Sequence, residues 1–137
     1  NVSTTGTDAD WIVKIVDVHP ADAEEQEDGM QDHLSMSNYH LMVRSEVMRG
    51  RFRNSFENPE AFVPNQPTDV NIKLQDVHHT FKKGHKLQVQ VQSTWFPLID
   101  LNPQTFVPNI YKAIESDFKT QTHSVFNDSK IEFTVLK

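Results

Sequence analysis

Residues 81–103 read FKKGHKLQVQVQSTWFPLIDLNP. Lys82-Lys83-Gly84 makes a turn, because glycine enters positive φ without a steric penalty. Beyond it Leu87, Val89 and Val91 alternate with Lys86, Gln88, Gln90 and Gln92. That period of two predicts a strand with one face buried and the other wet. Trp95-Phe96-Pro97, Asp100 and Asn102-Pro103 then form a proline-stiffened loop that carries large apolar groups. A strand that runs into such a loop is built to lean on a neighbour.

Working outward, the same logic assigns the rest of the chain. Asn1 to Thr5 reads as the end of a strand, and Thr5 to Asp10 turns. WIVKIVDV (Trp11 to Val18) is nearly continuous β-branched sequence, which predicts a strand covered on both faces. His19-Pro20 stops it. YHLMVRSEVMRGRFR (Tyr39 to Arg53) predicts a long strand bulged near Gly50. Residues 54–67 hold Pro59, Pro64 and Pro67 and cross irregularly. Val70 to Leu74, His78 to Phe81, Thr120 to Phe126 and Lys130 to Leu136 read as further strands, with a tight turn at Asn127-Asp128-Ser129. The last strand would set Ile131, Phe133 and Val135 on one face. Residues 109–116 suit a helical turn, and Asp28-Gly29 is the expected turn of the acidic segment. Short strands, proline-bearing crossovers and little helical period predict an all-β fold, an antiparallel β-sandwich formed by residues 1–137 as a single domain.

The charge balance, 13 cationic against 19 acidic residues, gives −6 and argues against nucleic acid as a partner. No apolar run approaches the roughly 18 residues that span a membrane. With no cysteine there is neither a disulfide framework nor a thiolate site. Six carboxylates crowd Asp22 to Asp32 and read as a solvated hairpin tip. Arg49, Arg51 and Arg53 alternate, so on a strand their guanidinium groups share one face. That face is either solvated or docked onto an acidic partner surface.

Signatures of catalysis are missing. Gly6, Gly29, Gly50 and Gly84 are scattered, and none frames a serine as a nucleophile elbow or builds a phosphate loop. His78-His79 with His85 invites a metal reading, but neighbours on a strand point to opposite faces, and neither His-x-His nor His-Glu-x-x-His occurs. No metal or cofactor is expected on that ground, and His85 is expected to be packed or hydrogen-bonded. Asp17 lies inside an apolar strand, where a carboxylate needs a partner. The arginine-rich strand is its expected source.

Four segments resemble the C-terminal β-domain of the X-Pro dipeptidyl-peptidase, cocaine esterase and glutaryl-7-aminocephalosporanic acid acylase family of serine hydrolases. They are STTGTDADWIVKIVDVHP (Ser3 to Pro20), VMRGRFRNSFENPEAFVP (Val47 to Pro64), residues 81–103, and THSVFNDSKIEFTVL (Thr122 to Leu136). The resemblance implies a jelly roll of galactose-binding-like type that is itself non-catalytic. The catalytic triad would belong to a preceding α/β-hydrolase domain, so no catalytic residue is carried over to this chain. Leu101 stands where the family usually has arginine. The family domain also begins further upstream, so the resemblance implies that the first strand or strands are missing and a sheet edge is left open.

The expected function is that of an accessory domain which supports the substrate cleft of a peptidase, acylase or esterase and packs against its α/β-hydrolase domain. Homo-oligomer contacts through the open edge are also expected. Arg49, Arg51, Arg53, Trp95, Phe96, Pro97, Asp100 and Asn102 are the expected interdomain interface. The compartment stays open between a bacterial cytoplasmic and a periplasmic or secreted location. The alternative is a carbohydrate-binding jelly-roll module, for which Trp95 would be the exposed platform.

Overall fold

The computed structural model describes residues 1–23 and 35–135. Five strands are present: β1 (Val2–Thr4), β2 (Asp10–Val18), β3 (His40–Arg49), β4 (Lys86–Gln92) and β5 (His123–Val125). The remaining regular structure is single 3₁₀ turns at Gly50–Phe52, Ile110–Lys112 and Glu115–Asp117. The fold is therefore all-β with antiparallel pairing, and no α-helix occurs among the described residues. None of the helices there is long and apolar enough to cross a membrane.

The chain divides into two compact units. The first comprises Asn1–Trp11, Met48–Asn71 and Ser93–Lys137. Here β1 pairs antiparallel with β5, in the register Val2↔Val125, Ser3↔Ser124 and Thr4↔His123. Val2 exchanges both backbone bonds with Thr68, at 2.9 and 2.8 Å. The core is Val2, Ala9, Trp11 and Phe62, all buried. Trp11 meets Phe62 and His123 edge-on, with ring centroids 6.5 and 5.3 Å apart. Such aromatic contacts add to the area that each ring removes from water. Burial holds the His123 pKa down, so this ring packs as a neutral imidazole.

The second unit comprises Ile12–Val47 and Ile72–Gln92. The three-stranded sheet has the order β3-β2-β4. β2 and β4 run antiparallel from Ile12↔Gln92 to Val18↔Lys86. Ile12, Ile15 and Val16 of the central strand are buried, as a β-branched run placed between two others should be. On β4 the alternation gives the strand but not what covers it. Leu87, Val89 and Val91 remain 44, 40 and 39% exposed, whereas Gln88 and Gln90 on the opposite face are half-buried. That apolar row is therefore only partly covered.

Other expectations need correction. β3 ends at Arg49, and the chain turns into 3₁₀ at Gly50 instead of continuing extended to Arg53. Arg49, Arg51 and Arg53 therefore do not share a strand face. Residues 70–74, 78–81 and 130–135 form no strand; the first and last alternate in sequence, but no neighbour supplies a ladder. Phe133 and Val135 are 52 and 81% exposed. The helical turn expected at 109–116 is present as two 3₁₀ turns, and the turn at 127–129 closes with Ser129 N–H on the Phe126 carbonyl at 3.0 Å. The Asp28-Gly29 turn lies outside the described residues.

Candidate functional site

Of the expected interface residues, the Trp95–Asn102 loop and Arg49 come together at one place. Ile99 N–H donates to the Trp95 carbonyl at 3.0 Å, which closes a turn in the loop, and the Phe96-Pro97 peptide is cis. Asn102 Nδ2 donates to Asp10 Oδ1 at 2.9 Å, and Asn102 Oδ1 accepts from Gln104 N–H at 2.7 Å. Arg49 Nη2 reaches Asp100 Oδ2 at 3.4 Å, and the Tyr111 hydroxyl donates to the same oxygen at 3.0 Å. An internal turn and polar bonds at its C-terminal end thus hold the loop, while Phe96, Leu98 and Leu101 face water at 63, 68 and 48% exposure. Trp95 is only half-buried and offers no flat exposed platform.

The other two arginines turn inward. Arg51 donates through Nε and Nη2 to Asp8 Oδ2 at 2.8 and 2.6 Å and through Nη1 to the Val107 carbonyl at 2.8 Å. Its guanidinium also lies 4.7 Å from the centre of the Phe106 ring. Arg53 ties down the crossover, donating to the carbonyls of Gly50, Glu60 and Ala61 at 2.9, 2.8 and 3.1 Å. Both serve as internal cross-links, Arg51 to Asp8 and Val107 and Arg53 within the crossover.

Asp10 is buried and stands 3.9 Å from Arg49 Nη1. Burial raises its pKa, and this outweighs the Asn102 hydrogen bond and the Arg49 charge, which pull the other way. A carboxyl whose folded pKa is raised favours the fold most below its unfolded value of 3.8 and loses that contribution as pH climbs through the folded value. Asp10→Asn should therefore unfold at an equal or higher temperature than the wild type at pH 7, with the difference closing below about pH 4. Thermal melts from pH 3 to 8 check this; a variant clearly less stable at pH 7 contradicts it.

Asp17 finds partners, but not the expected ones. His79 Nε2 and His85 Nδ1 donate to its two oxygens, each at 2.8 Å, in place of any arginine. Burial pushes the carboxyl pKa up, yet the two imidazole hydrogen bonds and their charge prevail and the net shift is downward. His78 is exposed and outside this cluster, although residues 78–81 form no strand on which neighbours would have to point to opposite faces. His19, expected only as a strand terminator, packs tilted against His85, with 4.4 Å between ring centroids. Its position two residues after Asp17, on the same strand face, was the available signal.

With that geometry in hand, the comparisons with known proteins are specific. Residues 1–130 match the X-Pro dipeptidyl-peptidase C-terminal non-catalytic domain. The chain belongs to that family. Cocaine esterase from Rhodococcus sp. (strain MB1 Bresler) is 29% identical over 104 residues, which cover 76% of this chain and 15% of the esterase. An aminopeptidase from a marine sediment Thaumarchaeota archaeon superimposes with a TM-score of 0.80 at 43% identity, over 89% of this chain and 19% of that one. A selenomethionine-labelled α-amino acid ester hydrolase gives 0.79 at 43% identity over the same shares. The chain thus spans less than a fifth of the length of each of these relatives.

Proposed function

We propose that residues 1–137 serve as one accessory jelly-roll domain of a larger serine hydrolase acting on peptide, amide or ester bonds. The domain supports the substrate cleft and packs against the α/β-hydrolase domain of the same polypeptide. The observation that carries this reading is the Trp95–Asn102 loop. Phe96, Leu98 and Leu101 are held out to water on a backbone closed by the Ile99–Trp95 turn and pinned at its C-terminal end by polar bonds. Large apolar groups on a preorganised loop lose little conformational entropy when they dock, which is what a domain contact rewards. Trp95, Pro97, Asp100 and Asn102 shape that loop, Arg49 anchors it, and Arg51 and Arg53 brace the segment beneath. A second copy of the chain pairing along an outer edge of the β3-β2-β4 sheet accounts for any self-association.

The reading is tested with Leu98→Asp and Phe96→Asp. In the 137-residue chain both are expected to shift the unfolding temperature by no more than about 2 °C, since exposed positions cost little. In the longer polypeptide each should lower thermal stability and kcat/KM by about tenfold or more, as burying an unpaired carboxylate at a contact does. Unchanged activity and stability of the longer polypeptide would defeat the assignment.

A further inference from the structure

We propose that Asp17, His19 and His85 form a binding site for one divalent ion of the zinc class. The antiparallel register brings them together. Val18 faces Lys86 at the end of the ladder, so the next residues outward, His19 and His85, come opposite each other. Asp17 precedes His19 by two and faces Leu87, which follows His85 by two, so all three side chains share one face of the sheet. One donor atom from each lies within 4.8 Å of the other two.

The positions are set by backbone rather than by chance side-chain reach. His19 N–H donates to the Tyr39 carbonyl at 2.9 Å, and its ring meets the Tyr39 ring edge-on at 5.7 Å. His85 N–H donates to the Lys82 carbonyl at 3.1 Å, closing the turn in which Gly84 takes φ +90°. Both imidazoles are half-buried, and Asp17 is 2% exposed. The site is therefore shielded yet still open to an ion arriving from solvent.

Ligand chemistry selects the ion. Two imidazoles and a carboxylate suit Zn²⁺ and its transition-metal neighbours, whereas Ca²⁺ wants six or more oxygens. An ion about 2.1 Å from both His85 Nδ1 and Asp17 Oδ1 fits a gap of 2.8 Å with only modest opening, and the proton it displaces leaves to solvent. His19 then closes by a side-chain rotation. His79 completes the arrangement from outside: its Nε2 holds Asp17 Oδ2 at 2.8 Å, the kind of outer hydrogen bond that orients a metal-bound carboxylate. Water takes the fourth position. Bound metal would clip the end of β2 to the start of β4.

The full chain, stripped with chelator and desalted, is titrated with Co²⁺ and then Zn²⁺. The expected result is one ion per chain, a visible Co²⁺ d–d band bleached by one equivalent of Zn²⁺, and an unfolding midpoint raised by about 3–6 °C in excess Zn²⁺. His19→Phe keeps a ring against Tyr39 and His85 but removes a ligand, and should weaken binding at least about tenfold. His40→Ala and His78→Ala, both exposed and outside the cluster, should leave it unchanged. Absence of one-to-one binding, equal binding by His19→Phe, or loss in the two exposed variants instead would overturn the proposal. Should His19→Phe not fold, ring ¹⁵N shifts of the wild type decide. Zn²⁺-induced shifts at His19 and His85 together support the site, and shifts confined to other histidines overturn it.

Discussion

Arg51→Met is expected to cost the fold about 3–5 kcal/mol, the range for breaking a buried ion pair from one side. The Asp8 side chain is fully buried and that of Arg51 is 6% exposed. Without the guanidinium, Asp8 keeps among the described residues the Ala9 N–H on Oδ1, at 3.0 Å, and its other oxygen is left as a buried charge without compensation. Asp8→Asn should be milder. The arginine then retains the Val107 carbonyl and the face of Phe106, and an amide oxygen can still accept one of its bonds. The double variant Asp8→Ala/Arg51→Met should lose clearly less than the sum of the single changes, because neither survivor is then stranded. Urea unfolding of the four proteins completes the cycle. A cost for Arg51→Met below about 1 kcal/mol, the range of an exposed pair, would mean that this pair does not carry the joint.

Local pattern made several elements legible. The β-branched run became β2 and the Leu87–Val91 alternation became β4, whereas the glycine at 50, expected as a bulge within a longer strand, is where β3 has already ended. Each of these is a statement about a residue and its near neighbours. Pattern failed where the answer lay far along the chain. Residues 70–74 alternate as cleanly as β4, yet a strand needs a partner edge, and none reaches them. The row Leu87, Val89, Val91 shows which side chains share a face and is silent about what covers it. Asp17 was recognisable as a carboxylate in need of company, but its partners lie 62 and 68 residues downstream, and charge alone favoured the nearer arginines. Those arginines had closer demands: Asp8 and the carbonyls of the crossover claim Arg51 and Arg53. The loop at 95–102 was legible because proline and aromatics announce rigidity and exposure without reference to distant residues.

Gly50→Ala is expected to destabilise by about 3 kcal/mol, at the upper end for adding one methyl group to packed surroundings. Gly50 is buried, and its N–H donates to the Ala9 carbonyl at 2.8 Å. A Cβ there would stand 2.4 Å from Phe62 Cε2 and 2.6 Å from the Ala9 oxygen, both well inside van der Waals contact. The two obstacles differ in kind. The Phe62 ring could shift, though it is 2% exposed and wedged between Trp11 and the Arg53 guanidinium. The Ala9 carbonyl is backbone, held by the hydrogen bond that sets the end of β3, and cannot yield without breaking that bond. Adding Phe62→Leu to Gly50→Ala should therefore recover part of the loss, not all of it. Denaturant midpoints of the two single variants and the double variant measure the share that each obstacle contributes. Full recovery would show that the ring alone excludes a side chain here. A Gly50→Ala protein as stable as the wild type would show that the turn after β3 has slack, and that the arginines beyond it are not set by this close approach.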